Sequence, residues 1–421
     1  MIETIQLFPG VTLYCFRDSR FKQGCLSIQL LRPMVHEEAA MNALLPSVLL
    51  RGTRSAPDLR QITRRLDDLY GASISPLVRR VGDYQTTGFY VSMIDDRFAL
   101  PGETVLADTM AFAGELLLDS PLSPDGFLPE FVESEKKNQI SAIETELNDK
   151  RVYAMQRLFE ILCKGDSYGV PRMGDTAHTR AITPQKLYSH YKTILSQSPV
   201  CLFYVGSQDP DRVARSLRPV FAAIDRDYRP LPPQSRFQGG PGSDVTETLD
   251  VTQGKLCLGY TTPITNRDPE FYAMQVFNAL FGGGMTSKLF QNVREKQSLC
   301  YSVGSGYYAA KGLLLVSAGI DFDKEAQTRQ EVERQLEACR RGDITDAELT
   351  AARQALISTL QGVHDSPSSI EGYYSSMVLS GIDRTPEEYR QGIEQVTAAQ
   401  VTEAARSVTA HSSYFLKGET Q

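Results

Sequence analysis

Two stretches of this chain repeat each other at an interval of about 230 residues, and this repeat restricts the possible folds more than any other feature. Residues 23–28 read QGCLSI and residues 253–258 read QGKLCL; farther on, residues 91–95 (VSMID) resemble residues 316–321 (VSAGID). Solenoid and propeller repeats have periods of roughly 20–50 residues, so a period this long indicates a duplicated domain. We therefore predict two domains of similar fold.

A segment dense in proline and glycine separates the two repeats. It covers residues 229–243 (RPLPPQSRFQGGPGS). Prolines stiffen such a segment and glycines loosen it, so neither a helix nor a central strand is expected there. The predicted domains are residues 1–228 and 244–421, and a chain of 421 residues is long enough for both.

Each repeat combines strands with long amphipathic helices. One helix is predicted from Leu59 to Leu69, with Ile62 and Leu66 on the same apolar stripe, and another over residues 346–360. The strands follow one another at hairpin-like spacing and the helices come in blocks. This arrangement is typical of the α+β class.

Composition and charge exclude some classes of partner. The chain has 44 basic and 51 acidic residues, a net charge of −7, and no basic block that would favour nucleic acid or an anionic membrane. It shows no signal peptide and no run of the roughly 20 apolar residues that span a bilayer. Its seven cysteines form no C-x-x-C pair, as expected for free thiols in a reducing compartment. We therefore expect a cytoplasmic protein.

The most distinctive motif lies in the second half, at residues 282–303 (GGGMTSKLFQNVREKQSLCYSV). It opens with three glycines, Gly282, Gly283 and Gly284. Glycines permit close approaches that other residues would block. The run lacks the G-x-x-x-x-G-K-[ST] spacing of a phosphate-binding loop, so phosphate binding is not favoured. Helical spacing then continues to Arg294, and an alternating strand is predicted to open at Tyr301.

A second motif lies in the first half, where an apolar helix runs into residues 49–53 (LLRGT). Together with residues 282–303, this ending resembles the insulinase/pitrilysin-type (inverzincin) metallopeptidase family. The resemblance covers nearly the whole chain, although only the later block is highly specific. It implies an α+β fold of two similar domains. Each is a largely antiparallel sheet with helices packed on it, and the two face each other across a cavity.

In that family an H-x-x-E-H helix leads into the same Gly-Thr ending. Its two His bind zinc and its Glu acts as general base. Counted back from that ending, the His positions fall on Ala43 and Ser47, and the Glu position falls on Pro46. Alanine has no lone pair to offer, a serine hydroxyl is a poor zinc ligand, and proline has no proton-accepting group. The resemblance therefore implies a degenerate zinc motif.

Other candidate metal ligands are weak. The family takes its third ligand, a glutamate, from a later helix; Glu144 matches this vestigial position best and Glu146 is the alternative. None of the five histidines pairs with another at the i, i+3 or i, i+4 spacing that places two ligands on one helix face. His36 and the two glutamates after it form a local group, for which a capping or solvent role is expected. We predict no metal and no cofactor in this chain.

Arg294 and Tyr301 match the family's Arg-x(6)-Tyr pair. A tyrosine can donate a hydrogen bond to a carbonyl oxygen that gains negative charge in the tetrahedral state. Arginine presents a planar fork of donors that can hold a peptide carbonyl or a side chain. The alternative is a surface Arg–Glu pair and a strand tyrosine in the core. The surrounding motif favours a role in substrate binding and oxyanion support.

Some bacterial and mitochondrial members of the family work as heterodimers, in which one subunit carries the zinc motif and the other supplies substrate-binding elements. This chain resembles the second kind. Among bacterial members it is most similar to the zinc-lacking proteins called elongation factor P 5-aminopentanol modification-associated proteins. The resemblance implies that the chain alone is a pseudopeptidase.

The resemblance also implies the partners. They are a zinc-bearing insulinase-like subunit, with a homodimer as the alternative in its absence, and a peptide substrate. Zinc would then belong to the partner subunit only. The alternative function is that of a purely structural or interaction protein with the same fold, like the non-peptidase core subunits of respiratory complexes.

Overall fold

The computed structural model describes residues 2–419 of the chain. The strands are β1 (Ile2–Phe8), β2 (Val11–Arg17), β3 (Gln23–Pro33), β4 (Ser73–Val81), β5 (Tyr84–Ile94), β6 (Leu122–Ser123), β7 (Gly126–Phe127), β8 (Val200–Gly206), β9 (Asp244–Thr248), β10 (Gly254–Thr261), β11 (Ser302–Tyr308), β12 (Leu313–Ile320) and β13 (Thr409–Lys417). The helices are α1 (His36–Leu49), α2 (Leu59–Asp68), α3 (Val105–Leu118), α4 (Pro129–Asn148), α5 (Lys150–Leu162), α6 (Thr176–Arg180), α7 (Pro184–Gln197), α8 (Pro210–Ala222), α9 (Phe271–Phe281), α10 (Glu325–Arg341), α11 (Asp346–Gln361), α12 (Pro367–Leu379), α13 (Pro386–Gln395) and α14 (Ala398–Arg406).

The chain forms two compact units. The first contains the described residues up to Glu144, Val170–Gln234 and His364–Leu379. The second contains Thr145–Gly169, Ser235–Val363 and the described residues from Ser380 onward. The units therefore do not follow the sequence at every point, because α5 from the first half belongs to the second unit and α12 from the second half belongs to the first. Residues 229–243 contain neither helix nor strand.

The first unit is built on a six-stranded sheet with the order β1-β2-β8-β3-β5-β4. All neighbouring strands are antiparallel except β2 and β8, which are parallel. The main core lies between this sheet and helices α1, α3, α7 and α8, with Leu44, Phe112, Leu187 and Leu217 among its buried residues.

The second unit has a five-stranded sheet with the order β11-β12-β10-β13-β9. Only β13 and β9 are parallel. This order repeats the β4-β5-β3-β8-β2 part of the first sheet. The hairpin β11-β12 corresponds to β4-β5, the central strand β10 to β3, and the parallel pair β13-β9 to β8-β2. The sequence repeats fall on the equivalent strands β3 and β10, and on β5 and β12. The predicted α+β fold with a duplicated, antiparallel-rich domain is confirmed.

The central strands give a physical reason why α5 belongs to the second unit and α12 to the first. β3 is buried at eight successive positions, so both of its faces need cover, and such a strand reads as a continuous apolar run. In the first unit, Ile370 of α12 packs against Cys25 and Val205. In the second unit, Leu158 of α5 packs in one core with Cys257 of β10 and Tyr414 of β13.

The two helices predicted from amphipathic spacing are present as α2 and α11. Asp58 caps α2 by accepting a hydrogen bond from the Gln61 N–H at 2.8 Å. Of the predicted stripe, Ile62 is buried, Leu66 and Leu69 pack at the edge of the core, and Leu59 is exposed. Within residues 2–419, no helix is long and apolar enough to cross a membrane.

Candidate functional site

The three positions of the predicted degenerate motif, two for zinc ligands and one for the general base, lie on α1 in the first unit. Ala43 and Pro46 are buried and Ser47 is partly buried. Neither alanine nor proline carries a side-chain donor atom, and a lone hydroxyl is a poor ligand for zinc. The zinc ion that the family motif implies therefore does not fit these residues.

Pro46 also changes the hydrogen bonding of the helix. Because proline has no N–H, the main-chain oxygen of Asn42, four residues earlier, has no helical donor. The hydroxyl of Thr87, on β5, donates to this oxygen at 2.6 Å. A side chain of the sheet thus supplies the hydrogen bond that the general-base position has lost.

The side chain of Asn42 joins a buried network of uncharged groups. Its amide nitrogen donates to Gln85 Oε1 at 2.8 Å, and its Oδ1 lies 2.7 Å from His190 Nε2. Since Oδ1 can only accept, His190 carries a proton on Nε2. Burial lowers the pKa of His190 to about 4. His190 is therefore a neutral core histidine at physiological pH.

The retained Arg-Gly-Thr ending of this motif has structural roles. Gly52 lies so close to Pro57 that an added Cβ would be 2.7 Å from its carbonyl oxygen. Thr53 is fully buried, and its hydroxyl donates to Glu115 at 2.6 Å. Arg51 forms an ion pair with Glu135 at 3.2 Å. Arg51, Gly52 and Thr53 therefore hold the loop after α1 in place.

Glu144, the vestigial third-ligand position, lies on α4. Its side chain is 57% exposed and forms an ion pair with Arg180 at 3.3 Å. Glu146 is exposed as well. α4 contacts the α1 backbone through another residue, Gln139, whose amide donates to the Ala40 oxygen at 3.1 Å. The structure therefore gives Glu144 a solvent-exposed ion pair.

The Gly-rich segment follows α9 in the second unit. A Cβ on Gly282 would lie 2.5 Å from the Ser305 hydroxyl oxygen and 2.7 Å from its main-chain nitrogen. The Ser305 N–H donates to the Gly282 oxygen at 2.9 Å, which ties the segment to β11. A Cβ on Gly283 would lie 2.7 Å from the Cα of Ala279, whereas one on Gly284 would meet nothing within 4 Å. The close approach thus requires glycine at the first two positions.

Buried residues follow the glycines. Lys288 is 7% exposed and pairs with Glu348 at 2.7 Å, and Ser287 is buried beside it. The predicted helix here takes a less usual form, because Phe290–Lys296 is π-helical. Single π-helical turns are rare and are frequent at functional sites.

Arg294 lies in this π-helical turn and is 41% exposed. Its guanidinium stacks over the Phe290 ring at 4.7 Å and forms a 3.5 Å ion pair with its neighbour Glu295. Burial raises the pKa of the Cys300 thiol to about 11, and the charge of Arg294 lowers it only in part. Arg294 therefore forms the surface Arg–Glu pair that the sequence analysis gave as the alternative to a substrate-binding role.

Tyr301 directly precedes edge strand β11 and is 60% exposed, so it is not a core tyrosine. Its hydroxyl donates to Asp321 Oδ1 at 2.9 Å. This hydrogen bond raises the pKa of Tyr301, so the phenol keeps its proton. Ser298, between the two candidates, has a left-handed backbone (φ 49°). Within the described part of the chain, no hydrogen bond or ion pair joins Arg294 to Tyr301.

One group of side chains was not detected from sequence. His36, Asp175 and His178 place their ligand atoms within 4.8 Å of one another in the first unit. The glutamates next to His36 do not share this contact, since Glu38 pairs with Arg32 and Glu37 is exposed. The N-cap of α1 is Val35, without a side-chain hydrogen bond, so His36 does not cap the helix. Asp175 and His178 stand three residues apart in sequence, but His36 precedes Asp175 by 139 positions, so helix spacing could not bring all three together.

The chain is similar to known peptidase homologues. A model of the Peptidase M16 inactive domain matches residues 181–356. The Probable inactive metalloprotease YmfF of Bacillus subtilis is 29% identical over 409 residues, which cover 97% of this chain and 96% of that protein. An uncharacterized zinc protease of Mycobacterium tuberculosis is 30% identical over 245 residues, 56% of each chain.

Solved structures with a similar fold are also known. A conserved protein from Enterococcus faecalis superposes with a TM-score of 0.94 at 26% identity, covering 100% of this chain and 99% of that one. A peptidase M16 inactive domain from Pseudomonas fluorescens has the same fold, with a TM-score of 0.82 at 17% identity and coverage of 100% and 98%.

Fold and motifs together define the class: the chain is a homologue of the inactive M16-type peptidases and resembles the insulinase/pitrilysin-type family. Within that class it is similar to inactive members, since the matching family model and the Bacillus subtilis relative are both described as inactive. The sequence-based assignment to the zinc-lacking branch of the family is confirmed.

Proposed function

We propose that this chain is the zinc-lacking subunit of a two-chain M16-type peptidase. In this assembly it binds peptide and supplies Arg294 and Tyr301 to a zinc site on the partner subunit. The observation that carries the proposal is the division between lost and retained chemistry. All metal-binding functions at Ala43, Pro46 and Ser47 are gone, whereas the donors of the Arg-Tyr pair remain on the surface.

The block at residues 282–303 separates into buried and exposed parts. Ser287, Lys288 and Leu289 are buried and are explained by packing and by the ion pair to Glu348. Met285 and Tyr301 are 74% and 60% exposed. Large apolar or aromatic side chains with this exposure have no packing role, and they are frequent at surfaces that bind a partner or a ligand.

The partners of Arg294 leave it available. An exposed ion pair of 3.5 Å between adjacent residues contributes little to stability, typically 0–1 kcal/mol for surface pairs. The guanidinium can therefore leave Glu295 and donate to a peptide carbonyl or carboxylate. Its stacking on Phe290 restricts the side chain and lowers the entropy lost on binding.

The environment of Tyr301 suits its hydroxyl group as a hydrogen-bond donor. Its phenol stays protonated because of Asp321, and it would exchange the Asp321 carboxylate for a substrate carbonyl oxygen. A hydrogen bond to an oxygen that gains charge is stronger in the transition state than in the ground state. The zinc of the partner would supply the activated water, and this chain would hold and polarise the peptide.

The test is the steady-state kinetics of the two-chain complex with a zinc-bearing M16 partner on a fluorogenic peptide. Tyr301→Phe removes one hydroxyl, and we expect kcat/KM to fall by about 10²-fold, as for loss of an oxyanion donor. Arg294→Ala should raise KM by weakening peptide binding.

Tyr70→Phe is the matched control, since Tyr70 is also exposed and also donates to a carboxylate, Glu103. Equal kinetics for Tyr301→Phe and Tyr70→Phe would contradict the assigned role and favour a purely structural or interaction subunit. For arginine the control is Arg341→Ala, which removes another exposed pair, with Asp343.

A further inference from the structure

Three metal-ligating side chains that are distant in sequence meet at the start of α1. His36 is the first residue of α1, Asp175 is the N-cap of α6, and His178 lies within α6. We call these three residues the histidine–aspartate cluster. All three belong to the first unit, whereas Arg294 and Tyr301 belong to the second.

The cluster converges on one oxygen. His178 Nδ1 lies 2.8 Å from Asp175 Oδ2, and His36 Nε2 lies 3.5 Å from the same atom. The two imidazole rings meet edge to face, with their centroids 4.5 Å apart. The side chains are 35–48% exposed, so an ion from solvent can reach them.

The two carboxylate oxygens of Asp175 make different contacts. Oδ1 accepts a hydrogen bond from the His178 N–H at 2.8 Å, which caps α6. Oδ2 is left for the two rings. Ligating carboxylates in metal sites are commonly oriented by such an additional hydrogen bond. The carboxylate is therefore already held in position for a ligand.

A glycine brings Asp175 to His36. Gly174 has φ +67°, and a Cβ there would lie 2.7 Å from the main-chain nitrogen of Ala40 on α1. Both the left-handed backbone and this close approach favour glycine. The segment before α6 can therefore lie directly on the first turns of α1.

Two buried amides fix this contact. Gln85 donates to the Ala39 oxygen at 3.0 Å and to the oxygen of residue 172 at 2.7 Å. Gln139 donates to the Ala40 oxygen at 3.1 Å and to the oxygen of residue 173 at 3.2 Å. Each amide thus bridges α1 to the segment that carries Asp175. The cluster is a built feature of the first unit, although its rings lie at the surface.

We propose that the histidine–aspartate cluster binds one divalent transition-metal ion of the zinc type. Imidazole nitrogens and a carboxylate oxygen are ligands that Zn²⁺ prefers, at about 2.0–2.2 Å. At such bond lengths, two ligand atoms of a tetrahedral ion stand about 3.4 Å apart. The His36–Asp175 separation of 3.5 Å already fits. The His178–Asp175 separation of 2.8 Å widens when the metal replaces the proton between the two atoms.

Water would complete the coordination of the ion, and the exposed Glu37 adds negative charge at the next position. The site would clamp the start of α1 to α6. It is separate from the degenerate motif, although His36 and Ala43 lie seven residues apart and thus on one face of the same helix. This inference does not depend on the proposed peptidase partnership.

The test is to remove bound metal from the full chain with a chelator and then to measure Zn²⁺ binding by calorimetry under reducing conditions. We expect one equivalent of Zn²⁺ to bind. His36→Ala, His178→Ala and Asp175→Asn should each weaken binding by at least about tenfold, the loss typical even for outer-shell partners. Asp175→Asn retains the N-cap, since asparagine caps helices as well as aspartate does.

His364→Ala is the matched control, because it removes a histidine outside the cluster and should leave the Kd unchanged. Absence of saturable binding by the wild-type chain would overturn the proposal, and so would unchanged binding in His36→Ala and His178→Ala. Co²⁺ substitution gives an independent measurement. Thiolate charge-transfer absorption would assign the ion to a cysteine and overturn the proposal, whereas absorption typical of nitrogen and oxygen ligands would support it.

Discussion

The hydroxyl of Thr87 donates a 2.6 Å hydrogen bond to the main-chain oxygen of Asn42. This is the carbonyl that Pro46 leaves without a helical donor. The sequence resemblance predicts the family's general-base position at Pro46, and proline offers neither a carboxylate nor a backbone N–H. The sheet compensates for the backbone loss. The oxygen of Asn42 in α1 therefore keeps a hydrogen-bond donor despite Pro46.

Thr87→Val tests this compensation. The substitution leaves a buried carbonyl oxygen unpaired, and we expect the free energy of unfolding to fall by about 1–3 kcal/mol. Thr86→Val on the same strand is the control: the Thr86 hydroxyl is buried without a hydrogen-bond partner in the described chain, so its loss should be neutral or stabilising. Urea denaturation measures both. In a Pro46→Ala background the helical N–H returns, and Thr87→Val should then cost less; an equal cost in both backgrounds would contradict the coupling.

His190 makes stability depend on pH. Its pKa is about 4 in the folded chain because of burial, against an ordinary value of 6.5. As the pH falls from about 6.5 to 4, the unfolded chain binds this proton and the folded chain does not, so stability decreases. The loss is at most about 3.4 kcal/mol, from a difference of about 2.5 pKa units at 1.36 kcal/mol each. Carboxylates also titrate in this range, so unfolding should be compared with His190→Gln, which should show a smaller decrease between pH 6.5 and 4. Parallel pH profiles would count against a neutral buried imidazole.

Two residues of α4 should differ in importance. Gln139 is buried, and its amide donates to Ala40, Met173 and Thr179. Gln139→Ala removes these buried hydrogen bonds, and we expect it to destabilise the chain by about 1–3 kcal/mol. Glu144→Ala removes only an exposed ion pair and should stay within about 0.5 kcal/mol of wild type. Thermal unfolding of both variants distinguishes them. A larger effect for Glu144 would indicate that this position has kept a role of its own.

The glycines at 282 and 284 provide a similar comparison. A Cβ at Gly282 would lie 2.7 Å from the main-chain nitrogen of Ser305, so Gly282→Ala must displace the middle of β11. Overpacking of this kind costs about 1–3 kcal/mol. Gly284→Ala meets open space and should be neutral. If both variants unfold at the same denaturant concentration, the close approach of the segment to β11 is not important for stability.

Sequence patterns predicted features that depend on local spacing. The duplication, α2 and α11 could be found this way, because a repeated segment or an amphipathic helix is recognised from residues close together in the chain. The exchange of α5 and α12 could not, because it follows from the need of β3 and its counterpart for cover on both faces.

Contacts between side chains that are distant in sequence could not be predicted either. Nothing near Tyr301 indicates that Asp321 accepts its hydrogen bond, and nothing near His36 points to Asp175. The family resemblance proposed Glu144 as a vestigial ligand from its sequence surroundings, whereas its exposed ion pair with Arg180 depends on how α4 is rotated against α1. Such contacts are set by packing rather than by spacing.

The most direct test of the central claim is peptide cleavage by this chain alone and together with a zinc-bearing M16 subunit, with Zn²⁺ present throughout. Including the His36→Ala variant ensures that metal bound at the histidine–aspartate cluster is not mistaken for a catalytic ion. We predict no cleavage above background by this chain alone, and cleavage by the mixture that a chelator abolishes and that exceeds the activity of the partner alone. Zinc-dependent cleavage by this chain without a partner would contradict the account, as would a partner whose activity this chain does not increase.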